Sequence, residues 1–138
     1  MLNLQRAGLG GNHRLIERVD YVALPQLVDE RQRIGFAYVD GWHTFDYTLI
    51  DFFYLDKMLT PGGAIAFNDC ALPSVRRVTR FVTTHRHYRD LDVGLRRRYA
   101  SRDVPTTLRR LATMRSKSDR YFRKIESWEP PTNFYARF

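Results

Sequence analysis

Two short segments of this 138-residue chain collect the side chains best suited to chemistry. Phe36-Ala-Tyr-Val-Asp-Gly-Trp-His43 runs from strand-forming residues into a carboxylate, a glycine, an indole and an imidazole. Ala64-Ile-Ala-Phe-Asn-Asp-Cys70 does the same, ending on an amide, a second carboxylate and a thiol. An imidazole changes charge near neutral pH and can take a proton from a hydroxyl, so His43 is a candidate general base with Asp40 beside it. The plainer reading is a strand that stops at a tight Asp-Gly turn, with Asp40 solvated and His43 bracing the turn.

The elements around these residues argue that they share one rim. Thr44 can cap a helix running to about Leu59, with Asp46 near its positive end. Phe45, Leu49, Phe52, Phe53, Leu55 and Leu59 give that helix an apolar face, and Asp46 and Asp51 are assigned to its polar side. Thr60-Pro-Gly-Gly63 ends it, a strand follows over Ala64–Phe67, and Pro73 suits the first turn of another helix. This strand–helix–strand–helix series allows parallel pairing, which places Asp40 and Asn68-Asp69 side by side beyond the strands' carboxyl ends, where open α/β sheets bind ligands. Three oxygen-bearing groups converging there, Asp40, Asn68 and Asp69, form a candidate site for a hard cation such as Mg²⁺.

The run VDGWHTFDYTLIDFFYLDKMLTPGGAIAFNDC resembles the second half of a class I S-adenosylmethionine-dependent methyltransferase, of the small-molecule O-methyltransferase-like group with a DG-x-H strand end. The resemblance covers about residues 2–90 and, more weakly, Asn133–Phe138. It implies a partial Rossmann-like α/β fold: a mostly parallel sheet with an antiparallel C-terminal edge, in one partial domain spanning 1–138. It implies methyl transfer from S-adenosylmethionine to a small-molecule hydroxyl. It places Trp42 over the cofactor's adenine or the acceptor, with simple packing as the alternative. It places Asp20 near the adenine, with helix capping as the alternative. In metal-dependent relatives the positions of Asp40, Asn68 and Asp69 hold the cation, and Asn68 where many carry Asp weakens it.

The family's main cofactor grip is not found in these residues. A glycine-rich turn of that kind follows an apolar strand and opens a helix. Gly8-Leu-Gly10-Gly11 has no strand before it, and Leu2–Gly8 reads as the end of a helix stopped by Gly8. The next expected strand, about Arg14–Val19, corresponds to the family's third. The expectation is therefore a domain lacking its first two strands, truncated and inactive alone. Phe36–Val39 would keep an open edge, prone to self-association or to pairing with a partner chain.

Composition and charge set wider bounds. Hydrophobic residues at 43% suit a globular domain. No apolar run spans a membrane and no export signal is visible, which favours the cytoplasm. The single Cys70 excludes an internal disulfide and is expected to be a packed thiol. Residues 1–74 carry six Lys and Arg against nine Asp and Glu, whereas residues 75–138 carry seventeen against six. A basic module binding nucleic acid or another polyanion is the alternative function. A solvated arginine face is the favoured reading, because Val75, Val78, Phe81 and Val82 form a helix face that leaves Arg76, Arg77 and Arg80 to water. His85-Arg-His87 is assigned to the surface. Residues 94–119 are read as a basic insertion with a short helix from Thr106 or Thr107 to Met114. Tyr88–Val93, Tyr121–Ile125 and Phe134–Phe138 are read as the closing strands.

Overall fold

The computed structural model describes residues 2–94 and 119–138. The expected basic insertion and its helix fall almost wholly outside them. The order is α1 (Leu2–Arg6), a 3-10 turn (Gly10–Asn12), α2 (Asp20–Asp29), β1 (Ile34–Val39), α3 (Phe45–Met58), β2 (Leu59–Phe67), α4 (Pro73–His85), β3 (Tyr88–Asp90) and β4 (Arg120–Lys124). The four strands form one sheet in the order β1-β2-β4-β3.

β1 and β2 pair in parallel, with Val39 opposite Phe67, so the two strands stop at the same level. β4 runs antiparallel to both β2 and β3. The sheet of the described residues is therefore mixed rather than mostly parallel. Mixed α/β architecture with an antiparallel end is compatible with the Rossmann-like expectation. β1 lies at the sheet's edge, as expected for Phe36–Val39.

Other expectations need correction. Arg14–Val19 is irregular, not a strand. Among the described residues it pairs with no neighbour, and a lone strand leaves its backbone groups unsatisfied. Its Arg14 instead forks onto Glu30 at 3.0 and 3.3 Å. Phe134–Phe138 is also irregular and packs through its rings on α4. β2 starts directly at Leu59, because Thr60-Pro-Gly-Gly63 does not separate helix from strand. It bulges between the pairs Ile34–Leu59 and Phe36–Ala64. Gly63 permits this: a Cβ there would stand 2.9 Å from the carbonyl oxygens of Gly35 and Thr60.

The core fills one face of the sheet. Alternation along β1 and β2 turns Ala37, Val39, Ile65 and Phe67 inward, where α3 contributes Phe52 and α4 contributes Val75, Val78 and Val82. Phe36 and Tyr38, on the opposite face, stay exposed. α4 behaves as its spacing predicts, with Arg76, Arg77 and Arg80 outward and Pro73 in the first turn. α3 does not. Alongside Phe52 it buries Thr48, Asp51 and Asp56, and it leaves Phe53 exposed.

Asp56 is held by a buried network. Its carboxylate accepts from Tyr88 Oη at 2.7 Å and Arg86 Nε at 3.2 Å, and faces Lys124 Nζ at 2.9 Å. One carboxylate thus joins α3 to β3 and β4. Burial, then the bond to Asp56, pushes the Tyr88 hydroxyl far above its ordinary range.

Candidate functional site

Parallel pairing in matched register brings the two polar strand ends together. The Asn68 backbone N–H donates to the Val39 carbonyl at 2.9 Å, continuing the ladder one residue past β2. The Asn68 side chain then donates to Asp40 Oδ1 at 2.8 Å. His43 turns back over the same carboxylate, with Nε2 3.6 Å from Asp40 Oδ1. That nitrogen is buried and has no hydrogen-bond partner among the described residues. Two anchors fix the turn carrying it. Ser74 Oγ, from the first turn of α4, donates to the His43 carbonyl at 2.5 Å. The Thr44 carbonyl starts α3 by accepting from the Thr48 N–H at 3.1 Å and Thr48 Oγ1 at 2.8 Å. Thr44 occupies the expected cap position, although its side chain makes no cap bond to the helix backbone. Asp46, in the first turn, is held below the ordinary carboxylate range, mainly by its hydrogen bond with the Thr44 side chain.

Trp42 projects into solvent, 73% exposed, with its ring edge-on to Tyr47 at 5.6 Å. Tyr21 of α2 meets Tyr47 in the same manner at 6.1 Å, so three aromatic rings form a shelf beside the rim. Asp69 lies just beyond Asn68 with φ 49°, and its carbonyl accepts from Leu72 N–H at 2.9 Å. Cys70 is the packed thiol expected. It is buried, donates to the Phe67 carbonyl at 3.2 Å, and burial pushes its thiol up to about 11.

The cation expected on Asp40, Asn68 and Asp69 is not supported by this geometry. The Asn68 amide nitrogen donates to Asp40 Oδ1, so in this arrangement the two side chains meet as donor and acceptor. No group of three or more His, Cys, Asp and Glu among the described residues is placed to hold a metal ion.

The assignment of Asp51 to the polar face of α3 is wrong. Asp51 is only 6% exposed, and its Oδ1 has no hydrogen-bond partner among the described residues. Asp20, at the start of α2, accepts from the Tyr21 N–H at 3.1 Å and also meets Asp51. Burial first, then the charge of Asp20, pushes Asp51 up to about 7. Both carboxyls lie under the turn: a Cβ on Gly41 would stand 3.3 Å from Asp51 Oδ2 and 3.7 Å from Asp20 Oδ2. The signal was present in the sequence. Thr48, Asp51, Phe52, Leu55 and Asp56 follow one helical stripe once polar residues are admitted to it.

His85 is a second misplaced residue. It is 6% exposed rather than at the surface, ringed by Phe81, Phe134, Tyr135 and Phe138. His87 is exposed and stacks on Trp128 at 4.8 Å.

A family model described as a methyltransferase domain matches residues 1–70. The match takes in α1 through β2 and, at the rim, Asp40, Trp42, His43, Asn68 and Asp69, but not Ser74 of α4. It supports the family in the N-terminal part of this chain, rather than as the resemblance to a C-terminal part that extended to residue 90. No curated protein matches the chain. No helix among the described residues is long and apolar enough to cross a membrane.

Proposed function

The chain belongs to the methyltransferase-domain family, and from that premise we propose that its β1–β2 rim is the acceptor side of a site that methylates a small-molecule hydroxyl. Membership implies S-adenosylmethionine as the methyl donor, which when bound supplies an electrophilic methyl group. The work left to this chain is to hold the acceptor and take its proton. His43 Nε2, without a hydrogen-bond partner among the described residues, is the base, and Asp40 at 3.6 Å stabilises the imidazolium that forms. Asn68 orients Asp40, and Ser74 fixes the His43 backbone. Trp42 and Tyr47 offer the acceptor an aromatic wall. The observation that carries this reading is the 2.8 Å contact between Asn68 and Asp40, which joins two strand ends 28 residues apart at one rim.

The described residues do not fit a tight grip on the donor. What leads into Gly8-Leu-Gly10-Gly11 is α1, not a strand. Asp20, the acid expected near the adenine, meets Asp51 and lies under Gly41. The chain alone is therefore expected not to methylate. Titrating S-adenosylmethionine into it in a calorimeter tests this: heat consistent with micromolar affinity would refute it.

A basic module that binds a polyanion is the second reading, favoured by Arg76, Arg77 and Arg80 on the outer face of α4. It predicts affinity that falls steeply with salt. Loss of binding on reversing the charges of Arg96, Arg97 and Arg98, with Asp40→Ala harmless, would select it over the enzyme.

A further inference from the structure

We propose that His85 is a proton-operated clasp: its neutral ring holds the segment Trp128–Phe138 against the end of α4, and protonation releases that segment. The hydrogen bonds define the ring's state. The Ala136 backbone N–H donates to His85 Nε2 at 3.3 Å, so Nε2 is the bare, accepting nitrogen. The proton then resides on Nδ1, which donates to Thr84 Oγ1 at 2.8 Å. The Thr84 hydroxyl in turn donates to the Arg80 carbonyl at 2.9 Å. The neutral ring in this one tautomer satisfies the Ala136 N–H, both its own nitrogens and the Thr84 hydroxyl.

The rest of the grip is aromatic. Phe81 stacks flat on the imidazole at 4.4 Å, and Phe134 and Phe138 close on it edge-on at 5.5 and 5.0 Å. Trp128 continues the cluster, 5.2 Å from Phe134. A second proton must enter at Nε2, where it would face the Ala136 N–H, donor against donor. The charged neighbours oppose it as well. Arg86 follows directly, held by Asp56 of α3 at 3.2 Å, and Arg77 sits over the Phe138 ring at 5.5 Å. Glu129, Tyr135 and Arg137 lie on the segment itself, Glu129 paired with Lys57 of α3 at 3.3 Å, and next to Trp128 stands His87 with Glu126. Burial and the Arg86 charge both lower the readiness of His85 to take a proton. The clasp is thus closed near neutrality and opens on the acid side of the ordinary histidine value, about 6.5.

The test uses the full chain carrying Trp42→Phe, which leaves Trp128 as the one tryptophan. Its emission is followed from pH 7.5 to 4.5. The expected result is a shift to longer wavelength with a midpoint below about 6.5, as the ring loses its neighbours. Adding His85→Gln, whose carbonyl oxygen accepts from Ala136 but does not titrate, should flatten the profile. Adding His87→Gln should leave the midpoint in place. A profile that survives His85→Gln and vanishes with His87→Gln overturns the proposal, as does the absence of any transition. Should the glutamine variant fail to fold, ¹⁵N shifts of His85 in the chain that keeps His85 and His87 decide it. A proton on Nε2 at pH 7.5, or an Ala136 amide that stays put when His85 titrates, refutes the clasp.

Discussion

Replacing Asp51 with asparagine should stabilise this protein, and only where the carboxyl would otherwise be ionised. Asp51 is buried beneath Gly41 with Asp20 against it, and its carboxyl is pushed up to about 7 from the ordinary 3.8. The unfolded chain returns it to the ordinary value, so between about pH 4 and 7 the folded state binds more protons than the unfolded one. Stability from this group is therefore greatest below about pH 4 and falls as the pH rises to about 7. At about 1.36 kcal/mol per pH step, a displacement of roughly three steps makes the ionised carboxyl cost about 4 kcal/mol at pH 8. Asparagine keeps the shape, cannot ionise, and can donate to Asp20. Urea unfolding followed by circular dichroism should give Asp51→Asn a gain of about 2–4 kcal/mol at pH 8 and little at pH 4. Comparing variant with parent at each pH cancels the titrating groups that do not touch Asp51. A variant no more stable than its parent at pH 8, or equally stabilised at both pH values, would refute the reasoning.

Other consequences follow from single contacts. Asp56→Ala strands Lys124, Arg86 and Tyr88 in the interior and should cost about 3–5 kcal/mol in the same assay. Gly63→Ala pushes a methyl group into the Gly35 and Thr60 carbonyls and should cost about 1–3 kcal/mol, whereas alanine at Gly11, where nothing lies within 4 Å, should be tolerated. In any assembly where the chain supports methyl transfer, His43→Gln should lower kcat by roughly 100-fold or more while KM changes little, measured by radiolabelled methyl incorporation. The open edge of β1, with Phe36 and Tyr38 exposed, should make the chain self-associate at high concentration. Sedimentation should show this, with Phe36→Lys reducing it, and a monodisperse parent would argue against it.

The β1–α3–β2–α4 series was legible because each element carries its own local signal. Strand residues stop at Asp-Gly, helical spacing runs from Phe45, and Pro73 opens the last helix. From these alone followed the shared rim of Asp40 and Asn68, since parallel strands joined by one helix must end at the same edge. Arg14–Val19 and Phe134–Phe138 misled because strand-like composition does not make a strand without a neighbour to pair with, and pairing is a property of the whole sheet.

Local pattern thus determined where the chain turns, which helix faces are apolar and which polar groups reach the rim. Only the tertiary structure decided the state of those groups. It set Asn68 as a donor to Asp40, buried Asp51 beside Asp20, and enclosed His85 among four aromatic rings. Charge state and hydrogen-bond role depend on what other segments bring within a few ångströms, and residues 31 or 51 positions apart leave no mark of that contact along the chain.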